Sequence, residues 1–450
     1  MAHVASASGA GSASAAGEGA AASGASRPES SAPVVDRSSV EGIKARYRGN
    51  ALIERLSYLG EVAPASRSSA MALAAAESKA VGSDTGLYAS LCEAAGTDPD
   101  AEWVSATKAR VHTRQEALER ELNMKLAAQD RDAIFEAHTA VAKHFADIGS
   151  PKSSIASFMR AREYCTPSQL VSNTTDAAKV ALGAQQVSSV EGIIRSTLSG
   201  ATHATPQDHA LLHAVMGAAR LQRGNFAGAA QSFLAAGPAL DSSVSDSIHR
   251  DDVAVAATLC SLAAMDRSRC IRMTQESIDF RRTVAAVPDA EALAADYARG
   301  QFGAVIRGLD AIEPSLTHDA LIGPQWSALK HSIISRVVSD AVAPYARASI
   351  AAMSKRLSLP EAQLSDVVVS LIARGLLPAR LDAAGGVIVA RYSEQRPAVF
   401  AEATALAERM ARETKQTLLR ASMEQHHLAV KPPKNRRTGL PVGMAEGLEV

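Results

Sequence analysis

Residues Ile350–Tyr392 read IAAMSKRLSLPEAQLSDVVVSLIARGLLPARLDAAGGVIVARY, and this stretch decides the fold. Its first part carries apolar residues three and four positions apart, at Ile350, Met353 and Leu357, which is the spacing of one face of a short helix. The segment Ser358–Pro360 interrupts that pattern. Its serine is placed to cap a helix and its proline is tolerated in the first turn of the next one. A first short helix followed by a break is therefore predicted.

A second helix and a β-hairpin follow the break. The apolar face of this helix consists of Leu364, Val367, Val368, Leu371 and Ile372. Gly375 supplies the stop that glycine commonly gives at a helix C-terminus. Two short runs with strand character, around Leu381 and at Val387–Val389, then flank the glycine-bearing turn Asp382–Gly386. Helix, turn, helix and hairpin together predict a winged helix.

Length and composition limit what the rest of the chain does. A chain of 450 residues buries more than one core, so we expect two domains. Its formal net charge is zero, so no global field recruits nucleic acid, an anionic membrane or an acidic substrate. Aromatic residues make up only 4% of the chain while alanine is abundant, which suits closely packed helices better than a β-sandwich. The fold class predicted is mostly α.

The four cysteines, Cys92, Cys165, Cys260 and Cys270, are scattered and form no CxxC pair. We interpret them as small core residues in a reducing compartment. No apolar run approaches the length of a membrane span, and the N-terminus lacks a basic segment followed by an apolar one. We therefore expect a soluble, intracellular protein that does not act at a membrane.

The two ends of the chain differ from its middle. Residues 1–38 are dominated by Ala, Ser and Gly and are expected to be a disordered tail. Residues 39–130 are predicted to form an N-terminal helical region, with helices over 70–95 and 102–127. Residues 431–450 begin with a basic run and are predicted to be a second disordered tail. That run is either a nuclear-localisation or anion-contact segment or simply a solvated one.

From residue 131 onward the chain repeats a helix, a tight turn and a helix. The turns lie near Gly149, Gly183, Gly224, Asp266 and Gly300, and successive turns are 34, 41, 42 and 34 residues apart. This spacing is close to the period of about 34 residues that tetratricopeptide-like hairpins show. Such hairpins cannot bury their apolar faces alone, so they stack. We predict a helical-repeat solenoid over residues 131–335, followed by the winged helix over residues 336–395.

A long helix is predicted over residues 396–430. Its thin apolar seam consists of Val399, Ala403, Leu406, Met410, Thr417, Ala421 and Leu428 on a charged background, with Leu418 beside it. A seam this narrow at the end of a chain indicates packing against helices of partner proteins. The alternative is that the helix folds back on its own solenoid.

Several stretches resemble the PCI-domain family, whose helical repeats run into a winged helix. They are Tyr47–Leu56, Ala140–Cys165, Gly375–Asp382, Ala390–Arg396 and His427–Pro433. The family supplies scaffold subunits to the proteasome lid, the COP-nine signalosome and translation initiation factor three. The first stretch and the region from Ala390 to Pro433 resemble the signalosome branch more than the paralogous proteasome-lid branch.

The resemblance implies a non-catalytic scaffold in the nucleus and cytoplasm. It would support removal of the ubiquitin-like modifier Nedd-eight from cullin-RING ligases by a separate MPN-type metalloprotease subunit. Other PCI and MPN subunits are the implied partners, and ligase components are contacted indirectly. In the family, winged helices associate edge to edge and terminal helices form one bundle. The contact residues implied here are Arg380, Leu381, Val387, Ile388 and Val389 on an exposed strand edge of the wing, and Val399, Leu406, Met410, Leu418 and Leu428 on the terminal helix.

Catalytic patterns are weak. His209 and His213 lie on one helical face, as in a zinc-binding helix, but no glutamate follows the first histidine to act as a general base. The His-x-His…Asp pattern of the deneddylase metal site, a phosphate-binding P-loop and a nucleophile elbow are absent from the sequence. We therefore expect no enzymatic activity, cofactor or metal.

A nucleic-acid-binding winged helix is the alternative from another class, because such folds often place one helix in the major groove. That role needs Lys and Arg on the recognition helix. The candidate helix Glu361–Arg374 instead carries the acids Glu361 and Asp366, with Arg374 as its one base. The sequence favours a protein scaffold.

Overall fold

The computed structural model describes residues 39–184, 186, 189, 191–200, 205–240, 245–391 and 395–428. The tails predicted at 1–38 and 431–450 lie outside these residues. The chain divides into two compact units, one comprising Met1–Ala257 with Ile312–Ser327 and the other Thr258–Ala311 with Ala328–Val450. Within the described ranges, no helix combines the length and the apolar character needed to cross a membrane.

Helices dominate both units, which confirms the mostly α prediction. In the first half of the chain they are α1 Val40–Arg46, α2 Gly49–Val62, α3 Arg67–Val81, α4 Thr85–Ala95, α5 Ala101–Ala128, α6 Arg131–Asp147, α7 Pro151–Arg162, α8 Pro167–Gly183, α9 Glu191–Gly200, α10 Pro206–Gln222 and α11 Phe226–Ala236. The second half contains α12 Arg250–Ala264, α13 Arg267–Glu276, α14 Ile278–Val284, α15 Pro288–Arg299, α16 Phe302–Thr317, α17 Trp326–Val342, β1 Arg347–Ser349, α18 Ile350–Leu357, α19 Glu361–Ala373, β2 Ala379–Asp382, β3 Val387–Ala390 and α20 Gln395–Gln425.

The N-terminal helices differ in one place from the sequence prediction. Residues 70–95 form two helices, because α3 ends at Gly82 and Asp84 starts α4. The Asp84 side chain accepts hydrogen bonds from the backbone amides of Gly86 and Leu87 at 3.0 and 2.9 Å. This N-cap satisfies amides that the first helical turn leaves unpaired. The predicted helix over 102–127 is present as α5, in which only Thr107 and Leu118 are buried.

The helical hairpins of the repeats are confirmed, and glycine makes their turns. Gly149, Gly224 and Gly300 separate α6 from α7, α10 from α11 and α15 from α16, with φ of 79°, 73° and 78°. A left-handed backbone of this kind costs glycine little and most other residues more. Small residues also let the helices of a pair approach: a Cβ on Gly217 of α10 would lie 2.6 Å from the Phe233 ring of α11.

The winged helix is confirmed at residue level. Its two helices, α18 and α19, precede the hairpin of β2 and β3, and Gly375 follows α19 with φ of 72°. Leu357, Leu364 and Val368 are fully enclosed between these elements. Ser358 has another role than the predicted one, since it ends α18 in the left-handed conformation, with φ of 57°, and does not cap α19.

The sheet has an additional strand that the sequence did not reveal. Strand β1 pairs antiparallel with β3, so the strand order is β1-β3-β2. Ile388 of β3 faces Ala348 on one side and Leu381 on the other. The prediction that Val387–Val389 supplies an exposed strand edge is therefore wrong. The three residues of β1 are too few to show a strand pattern, and their pairing is a long-range contact.

Candidate protein-interaction surfaces

The wing presents strand β2 as an edge of the sheet. Arg380 and Asp382 are exposed, Leu381 is half-buried, and Ala379 faces the core. Strand β2 hydrogen-bonds to β3 along one side, and no other described strand pairs with it. An unpaired edge of this kind offers backbone donors and acceptors to another chain. Asp382 also fixes the turn, because its Oδ1 accepts hydrogen bonds from the amides of Ala384 and Gly385.

The wing residues singled out in the sequence divide into two groups. Ile388 is 1% exposed and belongs to the core of the winged helix, so its side chain is not part of the wing surface. Val387 and Val389 are half-buried on the central strand, and Arg380 and Leu381 lie on the edge strand β2. A contact role for these four residues stays a prediction.

The second surface is α20, in which every described side chain is exposed. Leu406 and Met410 of the predicted seam are 49% and 60% exposed, and Val399 and Leu418 are also exposed. Leu428 is exposed too, but it lies beyond the end of the helix at Gln425. Phe400 and Leu419, which the seam did not include, add further exposed apolar area. The described residues therefore show no fold-back packing of this helix.

Helix α19 has the wrong charge for reading DNA. Its exposed positions include Glu361, Gln363, Asp366 and Val369, and Arg374 follows only at the C-cap. The phosphate backbone is bound by Lys and Arg, so two acids on the exposed face oppose that contact.

The histidine pair of α10 does not extend into a larger set of metal ligands. The rings of His209 and His213 are stacked with their centroids 6.3 Å apart. Burial lowers the pKa of His213, and the neighbouring His209 and Arg220 lower it further. In the described part of the chain, no group of three or more His, Cys, Asp or Glu side chains is positioned to hold a metal ion.

Cysteine burial follows the sequence interpretation at three of four positions. Cys92, Cys260 and Cys270 are buried and Cys165 is half-buried, and all four are free thiols. Burial raises the pKa of the Cys260 thiol to about 12 and that of Cys270 to about 11. These thiols therefore stay protonated and unreactive.

Sequence reasoning missed a buried ionic cluster in the first unit, which we call the inner cluster: Arg46, Tyr47, Arg55, Asp252 and Asp319. Arg46 Nη1 lies 3.1 Å from Asp252 Oδ1, and Arg55 Nη2 lies 3.4 Å from Asp252 Oδ2. The other amino group of Arg55, Nη1, lies 3.0 Å from Asp319 Oδ1. The Tyr47 hydroxyl donates a hydrogen bond to Asp252, and the Arg55 guanidinium lies 4.0 Å from the centroid of the tyrosine ring.

Two members of the inner cluster, Tyr47 and Arg55, lie in the Tyr47–Leu56 stretch that carried the family resemblance. Burial by itself would raise the pKa of Asp252, but the guanidinium groups of Arg55 and Arg46 outweigh it and hold that pKa below its usual value. The pKa of Asp319 is raised by burial and by the nearby Asp252, against the opposing effect of Arg55. Two cations and two carboxylates thus neutralise one another inside the unit. The partners are distant in sequence, so no local pattern marks them.

Glu54, next to Arg55, borders a cavity of about 380 Å³ that Tyr58, Asp84, Asp147 and Lys179 also line. Burial raises the pKa of Glu54 to about 7, although Arg55 opposes the shift. Within the described residues, its carboxylate makes no hydrogen bond. Glu54 is therefore a half-buried carboxylate that has no hydrogen-bond partner among the described residues.

Two family models match the chain. Residues 100–271 match the model described as 26S proteasome subunit RPN7, and residues 309–391 match the PCI domain. The second range contains the whole winged helix. The chain contains a PCI domain. The predicted resemblance to this family is thereby confirmed.

Curated proteins similar to this chain include signalosome subunits. COP9 signalosome complex subunit 1b of Drosophila melanogaster is 27% identical over 340 residues, which cover 74% of this chain and 64% of that protein. COP9 signalosome complex subunit 1 of Emericella nidulans is 26% identical over 439 residues, covering 91% of this chain and 88% of that protein. COP9 signalosome complex subunit 1 of Arabidopsis thaliana is 23% identical over 328 residues, which cover 73% of this chain and 74% of that protein. The chain thus spans slightly less than two thirds of the Drosophila protein.

Proposed function

We propose that this protein is a non-catalytic scaffold subunit of a COP9 signalosome. In that role it supports the removal of the Nedd-eight modifier from cullin-RING ubiquitin ligases by a separate metalloprotease subunit. Other PCI and MPN subunits are its direct partners, and ligase components are contacted indirectly. The similarity to signalosome subunit 1 proteins supports this assignment, since one of these relatives matches over 91% of this chain.

The observation that carries the scaffold role is the uncovered apolar seam of α20 behind a PCI domain. Leu406 and Met410 lie on one side of a helix whose described side chains are all exposed. Fully burying a side chain of this size gains about 1.5–3 kcal/mol, so the seam has substantial association energy to offer. Helices of partner subunits that bury the seam would form a bundle. The open edge of β2 offers a second contact.

Introducing negative charge on the seam tests the bundle. We expect Leu406→Asp with Met410→Asp to release the protein from its complex while its helical content is kept, because an aspartate in the bundle loses its hydration without gaining a partner. Ala401→Asp with Ala405→Asp adds the same charge at the same spacing on the other side of α20 and is the matched control, with no release expected. Co-elution of the Leu406/Met410 variant with the other subunits in size-exclusion chromatography would refute the bundle.

Identity of the complex is tested by purifying the tagged protein from its own cells and identifying what accompanies it by mass spectrometry. Recovery of an MPN metalloprotease with other PCI subunits and cullins is expected. Imaging of the same tagged protein is expected to find it in the nucleus and the cytoplasm.

The proteasome regulatory-particle lid is the second candidate complex. The observation that favours it is the match of residues 100–271 to the RPN7 model. In that case the same purification recovers proteasome ATPases and ubiquitin receptors, and the scaffold role of α20 applies to the lid.

A further inference from the structure

Glu191, the first residue of α9, is the centre of a second ionic cluster, which we call the outer cluster. It consists of Glu191, Arg195, Arg220 and Arg223. Arg195 Nη2 lies 3.0 Å from Glu191 Oε1, and Arg220 Nε lies 3.6 Å from the same oxygen. Arg223 Nη1 donates to the other carboxylate oxygen, Oε2. One buried carboxylate therefore holds three guanidinium groups from α9, α10 and the turn after α10.

The outer cluster has more positive charge than its carboxylate neutralises. Three guanidinium groups share one carboxylate, so two positive charges remain without a counter-charge. Within the described residues, no other carboxylate forms an ion pair with these three arginines. The surrounding sequence does not offset this surplus: apart from the cluster itself, residues 151–240 contain four Lys and Arg against three Asp and Glu.

Two of the three arginines are accessible to a ligand. The side chains of Arg195 and Arg223 are 67% and 50% exposed, whereas that of Arg220 is only 21% exposed. Arg220 is held by Ser232 Oγ at 2.8 Å and by the Gly228 carbonyl oxygen at 3.0 Å, which tie α10 to α11. Arg220 therefore has a structural role, and Arg195 and Arg223 are the arginines of the outer cluster that a ligand can reach.

The exposed residues beside Arg195 on α9 are small. The exposed residues on the same side of α9 include Gly192, Ser196 and Ser199, whose short side chains leave the guanidinium uncovered. A further cation borders them, since Arg162 Nη2 donates to Ser196 Oγ at 2.9 Å. None of these short side chains of α9 is large enough to block an extended peptide from reaching Arg195.

We propose that Arg195 and Arg223 bind an acidic segment of a partner protein through its aspartate or glutamate carboxylates. Guanidinium groups bind carboxylates through paired, charge-assisted hydrogen bonds, and Glu191 already holds both arginines on a carboxylate. The surplus charge provides the complementarity that draws such a segment in. Single-stranded nucleic acid fits less well, because it is bound by a long basic groove with exposed aromatic rings for stacking. Among the described residues from 191 to 228, the one Phe, Tyr or Trp is the half-buried Phe226.

The test uses the full chain and a short fluorescein-labelled polyglutamate peptide, with binding measured by fluorescence anisotropy. The peptide in which every glutamate is replaced by glutamine is the neutral probe. We expect the wild-type protein to bind the acidic probe with an affinity that falls as salt rises, and to bind the neutral probe at least about tenfold more weakly. Equal binding of the two probes, or none of either, overturns the proposal.

Variants then locate the site. Arg195→Glu with Arg223→Glu is expected to weaken binding of the acidic probe by about tenfold or more, since it replaces attraction with repulsion. The matched control is Arg120→Glu with Arg299→Glu, which changes the net charge equally at arginines 72% and 68% exposed elsewhere in the chain. The control is expected to keep the wild-type affinity. If both double variants lose affinity equally, binding reflects net charge alone and the proposal fails.

Two further measurements separate loss of charge from misfolding, and carboxylate binding from phosphate binding. Arg195→Gln with Arg223→Gln removes the charges without reversing them and is expected to weaken binding while the circular dichroism spectrum stays unchanged. A serine-phosphorylated peptide and a duplex DNA fragment are measured as competitors. If either displaces the acidic probe at concentrations below those of unlabelled polyglutamate, the surface binds phosphates and the carboxylate proposal is overturned.

Discussion

The inner and outer clusters are both built from arginine–carboxylate ion pairs, but only the inner cluster has equal numbers of cations and carboxylates. In the inner cluster, Arg46 and Arg55 meet Asp252 and Asp319, so cations and carboxylates are equal in number and nearly enclosed. In the outer cluster, three arginines meet Glu191, and two of them are half or more exposed. A balanced, buried cluster serves the fold. An unbalanced cluster at the surface leaves charge for another molecule.

The physical reason is the cost of removing charges from water. A buried ion is tolerated only when a counter-ion and hydrogen bonds replace its hydration, so an unequal number of charges inside the first unit would destabilise it. At the surface, water and salt screen a surplus charge at small cost. The difference predicts that equivalent substitutions in the two clusters have unequal effects.

The largest effect is expected at Arg55. Arg55→Met leaves Asp319 buried without its cation and should lower the free energy of unfolding by about 3–5 kcal/mol, the usual cost of breaking a buried ion pair. Arg223→Met in the outer cluster is the matched control and should cost less than about 1 kcal/mol. Urea denaturation followed by circular dichroism measures both. Equal losses would remove the distinction between the clusters.

Glu54 lies beside the inner cluster, and its carboxylate has no hydrogen bond within the described residues. Its effect on the free energy of unfolding should therefore depend on pH. Its folded pKa of about 7 lies above the usual glutamate value of 4.5, so the unfolded chain loses this proton first as the pH rises. Its contribution to stability is complete below the unfolded pKa and is lost as the pH rises through the folded pKa.

Glu54→Gln should therefore stabilise the protein by about 2–3 kcal/mol near pH 8 and have almost no effect near pH 4. Chemical denaturation at the two pH values measures this. Glu61→Gln changes an exposed glutamate on the same helix and should leave the free energy of unfolding unchanged at both pH values. A stabilisation by Glu54→Gln that is the same at both pH values would show that the buried charge is not its cause.

The smallest effect is expected at Glu191. Glu191→Gln leaves three guanidinium groups without their carboxylate, and their repulsion should cost about 1 kcal/mol at low salt. Raising the ionic strength should recover part of that loss, because exposed charges are screened. Asp252→Asn in the inner cluster is the comparison, with a larger loss that salt leaves nearly unchanged. A loss at Glu191 that does not depend on salt would contradict screening of the outer cluster through its exposed Arg195 and Arg223.

Much of the fold was predictable because its signals are local. The spacing of Ile350, Met353 and Leu357 and the stop at Gly375 set the helices of the winged helix, and both are found as predicted. The turn glycines marked the hairpins, since a left-handed backbone favours glycine wherever it occurs. The apolar seam of α20 was also visible in sequence, and its exposure in the structure leaves its role in a bundle as a prediction.

The other features depend on residues far apart in the chain. Strand β1 pairs with a strand about forty residues later, and its three residues carry no periodic signal of their own. That pairing made β3 central, which corrected the predicted strand edge and enclosed Ile388. Arg46 and Asp252 are separated by 206 positions, so nothing in sequence indicated their ion pair.

The sequence by itself determined the helices, their turns and the order in which the repeats lead into the winged helix, because periodicity and backbone preference act over a few residues. Only the tertiary structure decided which charges are neutralised and which remain available. In sequence, Arg55 and Arg195 are equivalent arginines on amphipathic helices. Their surroundings made one a buried counter-ion and the other an exposed cation, since the cost of a charge depends on how much water the fold leaves around it.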